Sequence, residues 1–517
     1  MIVDYFNQRV QIEITDFDID QTDYSITFGN LRNVYTNVKQ NYPGMEIVFP
    51  VFPNNEICLK INNYIPINLG GKTDFNNQTI KVTRDPAITG TIYLFKMEDE
   101  SFGLNFRRIS KKDVDSGQFH HIDELKEGLK LVRLKDYHFW TYHSTLGNIY
   151  REDILLIKNG QAMNTVIAPY DTNGTLLNSS YCDTDDSEKW FKNLTVIRPL
   201  NPGTGNLTNL VKVQFQNNVL FDNVTILFDS QTDNDHLTHD SCFCIEHSTN
   251  VSFKNIVIHG TYSELGENGY GYGFQLNNVW NSKFENIEAF GSWGVFGSYN
   301  INNAYLKNCT LNRFDIHFYG KDIVCDSCTF EKDPNSSDST THRYNRFDGL
   351  YGILLYKNCT FNDFCPVRID YTYKLFTGFD CIIQGGTINI GPNVKCLVSC
   401  IRISDEDVSP RPESTCISWP NIILNGVTMN KSSQVSGLCP FALFEVPNAN
   451  NYTYTGNVDY ITLIQLVSVT LGNNIYIKEF HTDINASFRI NRVLDNCFTV
   501  ITGNQTPTAG AYVKRIY

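Results

Sequence analysis

A short phrase recurs along the middle of the chain, and it limits the possible folds more than any other feature. Read as apolar, two residues that often end in Asn, apolar, any, apolar, it appears as FKNLTV (191–196), FDNVTI (221–226), FKNIVI (253–258) and FENIEA (284–289). It continues as LKNCTL (306–311), YKNCTF (356–361) and LNGVTM (424–429), with an altered copy at Cys325–Phe330. The intervals are mostly roughly 20 to 40 residues, the range of stacked structural repeats. Short apolar–polar strands punctuated by Asn and Gly predict a coiled parallel sheet with one turn of chain per repeat. Asn tolerates left-handed backbone angles, so it suits the bend before each strand. Stacking would bring Asn223, Asn255, Asn286, Asn308 and Asn358 into a column. A β-sandwich is the alternative, but it has no reason to repeat an Asn-apolar-x-apolar phrase.

Length and composition agree with a solenoid. The chain has 517 residues, far more than one small core needs, and an elongated coil absorbs that length. The formal net charge of −13 argues against nucleic acid, whose phosphates require a basic patch. No stretch approaches ~18 continuous apolar residues, so no membrane insertion is expected. The opening MIVDYFNQRVQIEITDFDID has no basic end followed by an apolar core and does not read as a secretory signal. There are 15 cysteines, an odd number. Cys309, Cys328 and Cys359 fall in the apolar slot where other repeats carry Val224, Ile256 and Ile287, and so read as small buried hydrophobes. The lone C-x-x-C at Cys325 and Cys328 has no second pair at zinc spacing, so neither metal nor cofactor is expected. Buried thiols without a signal favour synthesis in a reducing cytosol.

The chain divides on this reading into four parts. Residues 1–65 hold a helix and first strands. Phe28, Leu31, Val34 and Val38 lie at helical spacing, with Thr22 or Asp23 as cap. Residues 66–190 are early coils with an irregular insertion, in which HHIDELKEGLKLV (120–132) forms a short helix. Residues 191–430 are the regular parallel β-helix. From residue 431 the repeat is lost, and 431–517 form a separate β-rich region that caps or trimerises the solenoid.

Alternation places candidate site residues on the outward face. In Arg313–Tyr319, Phe314, Ile316 and Phe318 take one face and Arg313, Asp315, His317 and Tyr319 the other. Aligning coils on the strand that opens each turn gives an outward row of Glu246, Gln275, Phe296, His317, Leu354 and Arg368. Trp280, Trp293, Tyr371 and Tyr373 are near in sequence, and Glu264 and Glu267 sit in a Gly-rich loop. Aromatic faces stack on sugar rings while Arg, His and carboxylates bond hydroxyls, so the mixture suits a carbohydrate. Glycoside hydrolysis needs two carboxyl groups roughly 5 to 9.5 Å apart. Asp315 and Asp370, two coils apart in this register, are the expected catalytic pair, with His317 as a binding or proton-shuttling group. Arg313, Tyr319, Arg368, Glu246, Gln275, Phe296 and Trp293 are the expected substrate-binding residues. The bland alternative is that Arg313 and Asp315 pair to hold a turn.

The helix-then-strand opening, the TDFNNQTIKV stretch (73–82) and the repeats resemble tailspike-type polysaccharide depolymerases of the pectate-lyase-like superfamily. The resemblance implies an all-β, right-handed parallel β-helix with an N-terminal capping helix and a C-terminal β region. It implies a homotrimer that binds and cuts a bacterial surface polysaccharide (capsule, O-antigen or exopolysaccharide). It further implies residence on a phage tail after synthesis in the host cytoplasm. No particle-binding domain is evident ahead of the helix, which leaves a secreted or surface bacterial protein as the alternative. Hydrolysis is the expected chemistry. A lyase, using His317 or Tyr319 as base and Arg368 to neutralise a uronate, is the runner-up. A non-catalytic glycan-binding adhesin is the third reading.

Overall fold

The computed structural model describes residues 1–85, 87–88, 90–98, 105–143, 147–167, 170, 176–198, 208–228, 241–261, 272–291, 294–332, 343–347, 350–370, 379–402, 420–445, 460–480 and 490–493. Among them the regular structure is almost entirely β-strand, with two α-helices, Phe28–Asn41 and Lys111–Ser116. It forms a parallel β-helix whose coils fall into two compact units. One comprises residues 1–134 and 153–297, the other 135–152 and 298–517.

In the first unit the strands Lys72–Arg84, Lys189–Arg198, Asn217–Phe228, Ser241–Thr261 and Tyr272–Gly291 pair in parallel, each with the next. The repeat phrase sits in register, with Phe191 opposite Phe221, Phe221 opposite Phe253 and Phe253 opposite Phe284. The Asn of each phrase bends the chain. Asn193, Asn223, Asn255 and Asn286 all have positive φ, from 53° to 62°. Their amides also bond from coil to coil, Asn286 Nδ2 to Asn255 Oδ1 at 3.1 Å and Asn223 Nδ2 to Asn193 Oδ1 at 2.9 Å. Inside, phenylalanines form two interleaved columns. Phe75, Phe191, Phe221, Phe253 and Phe284 make one, with Phe253 and Phe284 centroids 4.9 Å apart. Phe243, Phe274 and Phe296 make the other, and edge contacts such as Phe253–Phe274 at 4.8 Å join the two. Each such pair adds about 0.5–1.5 kcal/mol beyond area burial.

The helix Phe28–Asn41 packs beside strands Glu56–Ile61 and Ile67–Asn68. Its cap is Thr27, whose hydroxyl accepts from Asn30 N at 3.2 Å, not Thr22 or Asp23. Tyr35 rather than Val34 takes the buried position, because its hydroxyl bonds Thr73 Oγ1 at 2.6 Å inside the coil. Burial pushes the Tyr35 phenol well up.

The stretch between the first coils and residue 189 is an insertion with its own core. Phe106–Ser110 pairs antiparallel with Leu176–Thr184, and Ile109, Phe119, Leu125, Val132, Leu155 and Leu177 pack together. Residues 120–128 form turns rather than the expected helix. The helix lies earlier, at Lys111–Ser116, where Ser110 caps Asp113 N at 3.1 Å and Gly117 ends it at φ 66°.

In the second unit each coil has three strand segments. One column runs Thr310, Thr329, Thr360, Thr387, Thr428, Thr470, each paired with the next. A positive-φ residue precedes each step: Asn308, Ser327, Asn358, Gly385, Gly426 and Ser468. Their amides bond the next coil, for example Asn358 N to Gln384 O at 2.8 Å. Gly386, which follows Gly385, is required there, since at φ 80° a Cβ would lie 2.1 Å from the Cys359 carbonyl oxygen. The coils do not stop at residue 430. Asn421–Asn425 pairs in parallel with Tyr460–Val467, which pairs with Ile490–Val493, and Cys439–Glu445 pairs with Ile475–Phe480. The phrase fades there because Ser468 takes the bend slot that Asn or Gly fills in most earlier coils, while the register persists. Cys309, Cys328 and Cys359 are buried, and the twelve cysteines whose side chains are described are free thiols.

Candidate functional site

The first unit presents two adjacent outward rows. Strands Ile92–Glu98, Thr208–Gln214, Ser241–Thr261 and Tyr272–Gly291 align Lys96 with Lys212, Cys244 and Gln275. The neighbouring row is Glu98, Gln214, Glu246 and Asn277. Phe95, Met97, Val211, Val213, Phe243, Ile245, Phe274 and Leu276 point into the core, and alternation leaves their polar neighbours outside. Glu98 and Glu246 side chains are 34% and 23% exposed. Glu246 accepts a hydrogen bond from Gln214 Nε2 and lies 3.5 Å from Lys212 Nζ, while Lys96 Nζ lies 3.2 Å from Glu98. Lys212 also stands 5.5 Å over the Tyr93 ring. The Cys244 thiol is pushed up to about 12 by burial, and then by the Glu246 carboxylate beside it. It is therefore a neutral thiol at neutral pH, not a nucleophile.

Stacked coils lie ~4.8 Å apart, so Glu98 and Glu246, two coils apart in one row, have backbones about 10 Å apart. Gln214, on the coil between them, donates to the Glu246 carboxylate. From backbones about 10 Å apart, the two side chains can span the ~5–9.5 Å separation that serves glycosidic cleavage. Of these residues, Glu246 and Gln275 were legible as outward groups. Tyr93, Lys96, Glu98, Lys212 and Gln214 were not, although the alternation of YLFKME (93–98) and VKVQ (211–214) carries the signal.

The second unit places Asp315, Arg346, Arg368 and Ser399 in one row. Asp315 is 0% exposed and Arg313 1%. Arg313 Nη2 lies 2.5 Å from Asp315 Oδ2, and Arg346 Nε lies 3.9 Å from Asp315 Oδ1. The expectation of an accessible Asp315 is therefore corrected: its face was read correctly, but the arginines on that face cover it. The Tyr344 ring takes a guanidinium from the coil before, Arg313 at 4.9 Å, and one from the coil after, Arg368 at 4.1 Å. Arg343 pairs separately with Asp363 at 2.6 Å.

Other expected members of the outward row fall elsewhere. Phe296 is buried, stacked on Phe274 in the core. Leu354 is buried and pairs with Ile323, on another side of the coil from Arg368. Arg368 aligns with Asp315 rather than with His317. Asp370 follows one alternation later, so its backbone is about 12 Å from that of Asp315. His317, Tyr319 and Asp370 lie in strands Phe314–Asp326 and Cys365–Asp370, and only their backbones are described. Trp293, Glu264, Glu267, Tyr371 and Tyr373 lie outside the described residues. Trp280 packs against the cluster containing Leu131 and Phe215.

No protein-family model matches the sequence, and no curated protein matches it. Among solved structures the chain is similar to the tailspike protein gp49 of Pseudomonas phage LKA1. The identity is 13% over 87% of this chain and 79% of that one, with a TM-score of 0.49. It is similar to the Gp54 tailspike of Acinetobacter baumannii bacteriophage AP22, solved with a capsular saccharide, at 12% identity over 92% and 79% of the two chains and a TM-score of 0.45. The catalytic domain of a GH87 α-1,3-glucanase is similar at 9% identity over 75% and 90%, with a TM-score of 0.27.

Proposed function

We propose that the protein binds a bacterial surface polysaccharide on the outward face of its β-helix and cleaves it by glycosidic hydrolysis. The observation that carries this reading is the Glu98–Gln214–Glu246 row, two partly exposed carboxylates on one face with a hydrogen-bonding amide between them. One carboxyl group would protonate the leaving oxygen, and the other would attack the anomeric carbon or activate water. Lys96, Lys212, Gln275 and Tyr93 offer the hydroxyl-bonding and ring-stacking groups that hold a sugar. Asp315 serves structure in this reading, as the buried partner of Arg313.

The resemblance of the sequence to tailspike-type depolymerases supports a homotrimer carried on a phage tail and made in the host cytoplasm. Light scattering that gives the mass of a single chain at micromolar concentration would exclude the trimer.

The activity is tested by incubating the protein with purified capsular and O-antigen polysaccharides. New reducing ends without new ultraviolet absorbance are expected. Absorbance from an unsaturated uronate would replace hydrolysis by lyase chemistry. Binding without either signal would make the protein an adhesin.

A further inference from the structure

The basic groups of the second unit are not equivalent. Arg313 has Asp315 at 2.5 Å and Arg343 has Asp363 at 2.6 Å. Arg346 has Asp315 at 3.9 Å. Arg368 has no carboxylate within ion-pair distance among the described residues. Its guanidinium Cζ lies over the Tyr344 ring, 4.1 Å from the centroid. Its Nε, like those of Arg313 and Arg343, is shielded from water and has no hydrogen-bond partner among the described residues; unlike theirs, its guanidinium has no carboxylate to offset this.

This is an expensive way to keep an arginine. A shielded guanidinium nitrogen without an acceptor loses hydration and gains nothing in return. The Tyr344 face recovers part of that through a cation–π contact. The contact also restrains the guanidinium, whose fork of N–H donors matches a carboxylate. Its paired neighbours on the two adjoining strands, Arg346 and Ser399, carry no anion, and Asp315, one strand further along the row, lies against Arg313 and Arg346. On a chain of net charge −13, an arginine held ready in this way is not explained by general surface charge.

We infer that Arg368, stacked on Tyr344, reads the carboxylate of an acidic sugar, so that the polysaccharide bound by this protein contains uronic or sialic acid residues. The inference rests on the glycan-binding reading above and specifies the chemical class of glycan. It concerns binding, and requires no bond to be made or broken.

The test is ligand-observed NMR with the full chain and two sets of sugars at millimolar concentration. The acidic set is glucuronate, galacturonate and N-acetylneuraminate, and the neutral set is glucose, galactose and N-acetylglucosamine. Wild-type protein is expected to bind at least one acidic sugar in preference to all neutral ones, and more weakly as salt is added. Arg368→Gln should weaken that binding about 10- to 100-fold, the usual weight of a charge-assisted hydrogen bond. Arg368→Lys keeps the charge without the planar fork and should fall between the two. Because Arg368→Gln removes a costly group, its melting temperature should equal or exceed that of wild type. Binding loss accompanied by a large drop in melting temperature would assign Arg368 to structure and overturn the inference. Equal binding of neutral and acidic sugars, or an acid preference that survives Arg368→Gln, would also overturn it while leaving glycan binding intact. Binding of neither set would remove the glycan-binding reading and the inference together.

Discussion

Asp315→Asn separates a structural from a chemical role at the residue that alternation marked most strongly. The substitution keeps the size of the side chain and removes its charge. Arg313 is 1% exposed, so it would be left as a buried cation facing a neutral amide. Breaking a buried ion pair from one side costs about 3–5 kcal/mol. Arg346, 3.9 Å from the other carboxylate oxygen, loses attraction as well. A unit of about 240 residues shifts its melting temperature by about 2–4 °C per kcal/mol, so a fall of about 6–20 °C is expected. Differential scanning calorimetry reads the fall, and a reducing-end assay below the transition reads turnover, expected to stay near normal. Replacing both partners, as Arg313→Met with Asp315→Leu, should recover most of the loss, because a pair exchanged for apolar groups is often neutral. An unchanged melting temperature with turnover reduced about 100-fold or more would refute this reasoning and return Asp315 to the chemistry.

Further outcomes follow from the first unit and from the thiols. Burial raises the Glu46 carboxyl and its bonds to Lys192 and Arg9 lower it, with a net shift downward. Its folded pKa is thus below the unfolded one, and its stabilisation is present above the unfolded pKa of about 4.3 and lost as pH falls through the folded value. Glu46→Gln should therefore be less stable than wild type by about 1–3 kcal/mol at pH 7, with the gap closing below about pH 4 in pH-dependent melts. Cys244, with its pKa near 12, should resist iodoacetamide in the folded protein at pH 8; rapid labelling there would contradict its burial. Thiol titration of the denatured, unreduced protein should find the cysteines reduced, and near-zero free thiol would contradict synthesis in a reducing compartment.

The coil was legible because its cause is local. The bend needs a residue that accepts positive φ and the core needs apolar residues on both sides of it, and FKNIVI states both. Register was less legible, for a reason in strand geometry. A slip of one residue turns a strand inside out, whereas a slip of two keeps its face and changes its neighbours. Phe296 shows the first error and Arg368 the second, since the coils linking Asp315, Arg346 and Arg368 have unequal lengths. Alternation also says which face a residue takes without saying what covers it, and so Asp315 read as open when its own partners bury it. The helix cap was misplaced because Thr27 sits inside the apolar pattern, and only backbone geometry shows that the chain is still extended there. Glu98 was missed because its strand carries no copy of the repeat phrase, although Glu246, two coils on, was recognised as outward.

In the proposed function Glu98 and Glu246 cut the polysaccharide held on the face of the first unit. Glu246→Gln tests it most directly, by the initial rate of reducing-end release on a polysaccharide that wild type degrades. Turnover should fall about 100- to 10,000-fold, with binding of the intact polymer retained and the melting temperature within a few degrees of wild type. A Glu246→Gln protein that folds, binds and still cuts at the wild-type rate would contradict the account.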